Sequence, residues 1–256
     1  MFSPLFSCLA SLAAPWMDTS LAPAVRADKL LSVLSRSEKI AMTFATHTSS
    51  SHAQQHNSTG IGAVKYMSAF KCSSTTPEDC VDQRNKLQRL FLQNSEHGIP
   101  ISFINEGLHG GASGGTIFPE PITQSMTWNR TLVMLIGAAI AAEASTIGVD
   151  TVFAPVVNMM PDARFGRLQE GYGENPIVAA TLGAAAVVGL QGANNGAENY
   201  SLPGKVCSLG KHFAACKQRV FRTQDSPPNS HTNPSVHILP VQTALPRVGS
   251  MVARLR

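Results

Sequence analysis

The chain predicts an α/β fold on parallel strands, and three observations carry that expectation. Short apolar runs at residues 101–104, 150–155 and 206–210 have the length and flanks of buried strands. Between and before them lie longer segments, 77–94, 131–147 and 178–190, in which apolar or small residues recur at helical spacing. The alternation repeats at intervals suited to βα units, which build a parallel sheet, closed or open. With 256 residues, 43% of them apolar and 14% charged, the chain has the length of one α/β barrel domain and the composition of a globular protein.

Taken in order, residues 1–14 are a short apolar stretch (Leu5, Phe6, Leu9, Leu12) that reads as a secretory signal without a basic leader. Sequons at Asn57, Asn129 and Asn199 also favour a secreted, extracellular protein. Residues 25–34 carry a helical stripe, and Ser35-Arg-Ser-Glu38 is a capping box that opens a second helix. Residues 46–62 are rich in Ser, His, Gln, Asn and Gly and read as a surface loop. His52 and His56 stand there at i,i+4, but Ala-Gln replaces the glutamate a zinc protease would carry, and no metal site is expected.

In 77–94, Leu87, Leu90 and Phe91 share one face; Gly98-Ile-Pro then introduces the strand 101–104. In 131–147 the core stripe is Leu132, Val133, Ile136, Ala139, Ile140, Ala144 and Ile147, and Gly148 stops the helix. The strand 150–155, a small-residue helix at 178–190 and the strand 206–210 follow, the last ending in Lys211-His212. No internal repeat is visible, and no apolar run reaches the ~20 residues of a membrane span.

The net charge of +4 is a property of one segment. Residues 1–215 hold 14 Lys and Arg against 15 Asp and Glu, whereas 216–256 hold six basic residues against Asp225 alone. No basic patch argues for a nucleic-acid partner. Five cysteines are an odd count: Cys72 and Cys80 flank a polar loop and could close a small disulfide, while Cys207 sits in an apolar run as a buried thiol.

The most charged stretch is 161–176, whose sixteen residues carry two arginines, one aspartate, two glutamates and three glycines. Arginine forks held still by neighbouring carboxylates suit a loop that grips hydroxyls or carboxylates. The pattern Asp-x-Arg-x-Gly-Arg-x-x-Glu-x-x-Gly-Glu-Asn-Pro, Asp162 to Pro176, resembles the signature of the N-terminal domain of glycoside hydrolase family 3, the β-glucosidase and β-xylosidase family. The resemblance spans about residues 15–215 and implies a TIM-barrel-like (β/α)8 domain, incomplete here, without metal or organic cofactor.

Glu106, Arg167, Lys211 and His212 all follow predicted strands, at the face where parallel α/β folds build their sites. By resemblance, Glu106 in Asn-Glu-Gly-Leu-His-Gly grips hydroxyls of the sugar at the cleavage point. Arg167, Lys211 and His212 match the family's other contacts to that sugar. Asp162 and Glu170 are placed to hold Arg164 and Arg167, and Glu174-Asn175-Pro176 to cap the next helix. His109 is expected to pack as a supporting histidine.

The implied partner is a β-linked glucoside or oligosaccharide, cleaved with retention. Glu106, where many glucosidases of the family carry Asp, keeps a β-xylosidase open. The family's N-acetylglucosaminidases fit less well, because their Lys-His-Phe-Pro-Gly-His-Gly loop is Lys-His-Phe-Ala-Ala-Cys here. Retention needs two carboxyl groups, a nucleophile and an acid/base. The resemblance puts both after Lys211-His212, yet 216–256 offers only Asp225, with no strand before it. The expectation is therefore that the family frame is lost after Ala215, that 216–256 is a divergent basic tail, and that both catalytic carboxyls fall beyond Arg256. A chain of that kind would bind sugar without cleaving it.

One rival comes from another class. Gly111-Ala-Ser113-Gly-Gly115 satisfies Gly-x-Ser-x-Gly, but a nucleophile elbow needs a strand directly before its serine and a helix directly after. Neither is expected here, so the glycines read as a turn.

Overall fold

The computed structural model describes residues 14–46, 53–56, 58–65, 76–111, 115–161, 166–192 and 203–212. The chain divides into two compact units, Met1–Phe103 and Ile104–Arg256.

In the first unit, helix α1 (Pro23–Val33) begins with a proline whose missing N–H costs nothing in a first turn. Helix α2 (Arg36–Ala41) opens on the expected capping box: the Ser35 hydroxyl accepts the Glu38 N–H at 3.2 Å, and Glu38 Oε2 accepts the Ser35 N–H at 2.8 Å. The other carboxylate oxygen of Glu38 lies 3.6 Å from His97 Nε2, and the Trp16 ring packs edge-on against His97 at 5.5 Å.

The Ser35 hydroxyl above all holds the Glu38 carboxyl below its ordinary value, against the opposing effect of burial. This stabilisation is present above the usual carboxylate range and lost as pH falls through the lowered value. Glu38→Ala is expected to cost about 1 kcal/mol, read as a lower urea midpoint at pH 7, with the difference from wild type shrinking in acid.

Strands β1 (Ala45–Thr46) and β2 (Ala63–Lys65) pair in parallel. The segment between them departs from the expected surface loop, because Ala53 and Ile61 are buried. Two apolar side chains anchor a stretch whose composition is otherwise that of a solvated loop. Helix α3 (Pro77–Asn94) is capped by Thr76 and buries Leu87 and Phe91. Gln88 accepts the N–H of Ile101, and Ser102 donates to the Gly62 carbonyl, where β3 (Ser102–Asn105) begins. Cys80 is buried and disulfide-bonded, whereas Cys72 lies outside the described residues.

The second unit takes the last two residues of β3 as its first strand. Helices α4 (Pro121–Ser125) and α5 (Arg130–Thr146) lead to β4 (Thr151–Val152), and α6 (Pro176–Gln191) leads to β5 (Cys207–Ser208). Ile104 and Asn105 pair in parallel with Thr151 and Val152, which pair in parallel with Cys207 and Ser208. Neighbours follow chain order, each crossover is helical, and the expected α/β class with parallel strands holds. Only two residues of each strand pair in this ladder, and on β3 one of them, Asn105, lies just past the apolar run 101–104.

Asn129 caps α5 by accepting the Leu132 N–H at 3.0 Å, and Gly148, at φ +80°, ends it as expected. Val133, Ile136, Ile140, Ala144 and Ile147 are buried. Leu132, assigned to the same stripe, is instead exposed. It lies about 100° around the helix from Val133, at the margin of a face centred on Val133, Ile140 and Ala144. Where α5 meets α6 the two backbones touch: a Cβ on Gly189 would fall 2.1 Å from the Met134 carbonyl oxygen, and one on Gly137 would fall 2.8 Å from that of Ala186. Tyr172, Leu182 and Ala179 pack with Val133 below this crossing. Cys207 is buried and not disulfide-bonded, as expected, and burial pushes its thiol up to about 11, which keeps it unreactive at neutral pH.

Candidate functional site

Three chain crossings at the carboxyl ends of β3, β4 and β5 bring the site residues together. Glu106 directly follows β3. After β4 the chain runs through Phe153 to Val156, which bridges Lys211 on one side and Gly171, at the end of the arginine loop, on the other. The backbone of Lys211 is clamped: its N–H donates to the Pro155 carbonyl and its carbonyl accepts the Val157 N–H, both at 3.0 Å. Gly111 stands against α5, where a Cβ would lie 2.8 Å from the Ile140 carbonyl oxygen, so a glycine is needed for the Glu106 loop to come this close.

On this frame Lys211 Nζ donates to Glu106 Oε2 at 2.8 Å, across 105 residues of sequence. The lysine side chain is 15% exposed and the glutamate 47%, so the cation is held inside while the carboxylate faces solvent. The Phe153 ring lies 5.9 Å from Nζ and gives the ammonium an aromatic wall. Arg167 grips Glu170 with two parallel bonds, Nε to Oε1 at 2.6 Å and Nη2 to Oε2 at 2.5 Å. Hydrogen bonding from Arg167 holds the Glu170 carboxyl below its ordinary value against its burial, and the charges of Arg167 and Lys211 add to the effect.

His212 follows Lys211, and both its backbone N–H and its ring Nδ1 meet Asn158 Oδ1, at 3.2 and 2.9 Å. Burial lowers the affinity of the ring for a proton, and the positive charges of Arg167 and Lys211 lower it further, against Glu170 and Glu106. Five charged or titratable groups named from the sequence thus sense one another at one strand-end face: Glu106, Arg167, Glu170, Lys211 and His212.

Asp162 and Arg164 lie outside the described residues. Glu174-Asn175-Pro176 opens α6 as expected, and the capping residue within it is Asn175, whose Oδ1 accepts the N–H groups of Ile177 and Val178 at 2.9 and 3.3 Å, while Glu174 is exposed. The shorter Asn side chain reaches the first-turn donors from the cap position, and Glu174 stands one residue outside it. His109 supports structure as expected, with Nδ1 3.0 Å from the Phe118 carbonyl and Nε2 3.5 Å from Glu120.

Ser113 lies outside the described residues, but β3 ends at Asn105 and the next helix begins only at Pro121, which is not the frame of a nucleophile elbow. Sequence reasoning missed Asn158 and Phe153. Asn158 sits in the run Val-Val-Asn-Met-Met, where a single polar residue after a strand is the one available signal.

A cavity of about 10 Å³ lies behind the Glu106 loop, lined by Gly107, Leu108, Pro155 and Tyr172 among others. It has room for about one water and is far below the ~300 Å³ of small-molecule pockets. It is a packing void beside the charged face.

Comparison with known proteins agrees with the signature. The profile of the glycosyl hydrolase family 3 N terminal domain matches residues 38–238, and so runs past Ala215 into the segment where the composition changes. Among curated proteins, a putative β-xylosidase of Formosa agariphila is 29% identical over 213 residues, covering 79% of this chain and 28% of its own length. The lysosomal β-glucosidase of Dictyostelium discoideum is 30% identical over 136 residues, covering 52% of this chain and 17% of its own length.

Among solved structures, a β-glucosidase from Erythrobacter marinus superposes with a TM-score of 0.78 at 27% identity, over 93% of this chain and 32% of that one. A β-glucosidase from Listeria innocua, solved in complex with isofagomine, gives 0.61 at 25% identity, over 75% of this chain and 26% of that one. The chain thus spans about a third or less of the length of these relatives. Its α/β fold of parallel strands is that of a TIM-barrel-like domain, and with the profile matched over most of its length the chain belongs to glycosyl hydrolase family 3, as that family's N-terminal domain.

Proposed function

We propose that this domain grips the terminal non-reducing residue of a β-linked glucoside for a retaining glycosidase. The observation that carries the reading is the Lys211–Glu106 pair at 2.8 Å, with Arg167 and His212 within electrostatic reach on the same strand-end face. A sugar ring displays hydroxyls that each donate and accept. A carboxylate beside an ammonium offers both roles side by side, and charge-assisted bonds to hydroxyls are strong because neither group has to be charged or moved on binding. The aromatic wall of Phe153 and the clamped backbone of Lys211 keep the ammonium pre-positioned.

Glu106 and Glu170 are each tied to a cation, so they suit ground-state binding and orientation. The nucleophile and the acid/base of the retaining mechanism are assigned to neither. The similarity to a putative β-xylosidase over 79% of this chain favours a second reading, a terminal β-xylosyl residue in the same site. The disulfide at Cys80 supports secretion, since such bonds persist in oxidising compartments.

Calorimetric titration with methyl β-D-glucoside and methyl β-D-xyloside separates the readings. Saturable binding with the glucoside tighter supports the proposal; tighter xyloside binding transfers it to the second reading; no binding of either sugar overturns both. Turnover of an aryl β-glucoside by the chain would show that it also holds the catalytic carboxyls.

A further inference from the structure

We propose that Asn158 is a positioning residue that fixes the tautomer of His212, holding the ring proton on Nδ1 and leaving the Nε2 lone pair as a hydrogen-bond acceptor for the ligand. The tautomer follows from two distances and the valence of one oxygen. The backbone N–H of His212 lies 3.2 Å from an atom of the Asn158 side-chain amide. A backbone N–H can only donate, so the amide atom facing it must be the carbonyl oxygen, and the flipped amide would set two donors against each other. The same oxygen lies 2.9 Å from His212 Nδ1. An amide oxygen only accepts, so Nδ1 must carry a hydrogen. A neutral imidazole has one N–H, which leaves Nε2 bare.

The ring is held neutral by its surroundings: burial first, then the charges of Arg167 and Lys211, outweigh the opposing pull of Glu170 and Glu106. The ligand side of the inference rests on the sugar-binding reading. There Lys211 and Arg167 are donors only, Glu106 and Glu170 are acceptors, and His212 Nε2 adds an acceptor that carries no charge. A hydroxyl that donates to Nε2 while accepting from a cation satisfies both neighbours. An analogue whose hydroxyl is replaced by fluorine or hydrogen cannot donate and loses this bond. Asn158 would then contribute to specificity for a free hydroxyl without touching the sugar.

The test uses the full chain labelled with ¹⁵N at histidine, the His212 signals being identified by their loss in His212→Gln. At neutral pH the expected spectrum has Nδ1 in the protonated, pyrrole-type range and Nε2 in the unprotonated, pyridine-type range. A proton on Nε2 overturns the proposal. In Asn158→Leu, which keeps the volume and removes the acceptor, the proton is expected to redistribute toward Nε2, and affinity for methyl β-D-glucoside to fall about three- to tenfold, the effect of one hydrogen bond. An unchanged tautomer in that variant also overturns the proposal.

Asn158→Asp keeps an acceptor and adds a charge. It should retain Nδ1–H but raise the pH at which His212 gains its second proton, so sugar binding weakens on acidification at a higher pH than in wild type. A merely structural role would lower affinity without moving that midpoint. Should the wild-type tautomer be as expected while no sugar binds, the positioning role stands and the functional reading falls.

Discussion

Lys211→Met is expected to weaken binding of methyl β-D-glucoside by about a hundredfold or more. The substitution keeps the length and apolar stem of the lysine but removes every donor. Two losses combine. The hydroxyl that Lys211 would hold loses a charge-assisted bond, of the kind worth about 1.5–3 kcal/mol. Glu106 also loses the ammonium that it meets at 2.8 Å, one of the contacts that set the orientation in which it accepts from the sugar.

The fold should barely change, because Glu106 is 47% exposed and water can take the place of the ammonium beside its carboxylate. Lys211→Arg is expected to restore only a small part of the affinity. A planar guanidinium cannot reproduce the compact ammonium seated against the Phe153 ring, where the lysine is 15% exposed. Calorimetric titration of both variants, with urea melts as the control for folding, reads the two effects separately. An affinity within twofold of wild type for Lys211→Met would remove the lysine from the site.

The largest effect on stability is expected from Gly189→Val. A Cβ at this position would lie 2.1 Å from the Met134 carbonyl oxygen, 2.8 Å from the Ala138 nitrogen and 3.0 Å from Gly137 Cα. All three are backbone atoms of α5, so no side-chain rotation relieves the clash and the helices must separate. Separation opens the packing of Val133, Leu182 and Tyr172 beneath the crossing. Overpacking a core costs about 1–3 kcal/mol and sometimes more, against a total stability of about 5–15 kcal/mol for a domain. The variant is expected to be recovered mainly unfolded, or to melt well below wild type.

Gly204→Ala provides the contrast. Unlike Gly189, which is helical, it sits in the left-handed region, at φ +75°, but a Cβ there meets nothing within 4 Å, so it should cost only the backbone strain of about 1 kcal/mol. Equal thermal melts for the two variants would show that the helix crossing is looser than described.

How far these features were legible in the sequence depended on the length of the signal each element leaves. Helices α3, α5 and α6 show several turns of periodic residues and carry recognisable ends: Thr76 and Pro77, Asn129 and Gly148, Asn175 and Pro176. Their bounds could be read within a few residues. Strands β1 and β2 were not expected, since two or three residues with one strong apolar side chain, Val64, leave no periodicity to detect. The buried positions of Ala53 and Ile61 were hidden by the polar composition around them.

At the site, charged residues at strand ends stood out because charge after an apolar run is conspicuous, and Glu106, Arg167, Lys211 and His212 were found in this way. Asn158 was not. A neutral amide between apolar residues acquires meaning only when His212, 54 positions later, is brought against it. The start of α6 was legible in Glu174-Asn175-Pro176, and backbone geometry gives the capping contacts to Asn175 within it.

The most direct measurement is side-chain NMR of Lys211 Nζ, Arg167 Nε and the His212 ring while methyl β-D-glucoside is added. One site built from these residues predicts that all three signals shift together and give a single dissociation constant. Signals that stay fixed, or that titrate with separate midpoints, would contradict a shared sugar-gripping site.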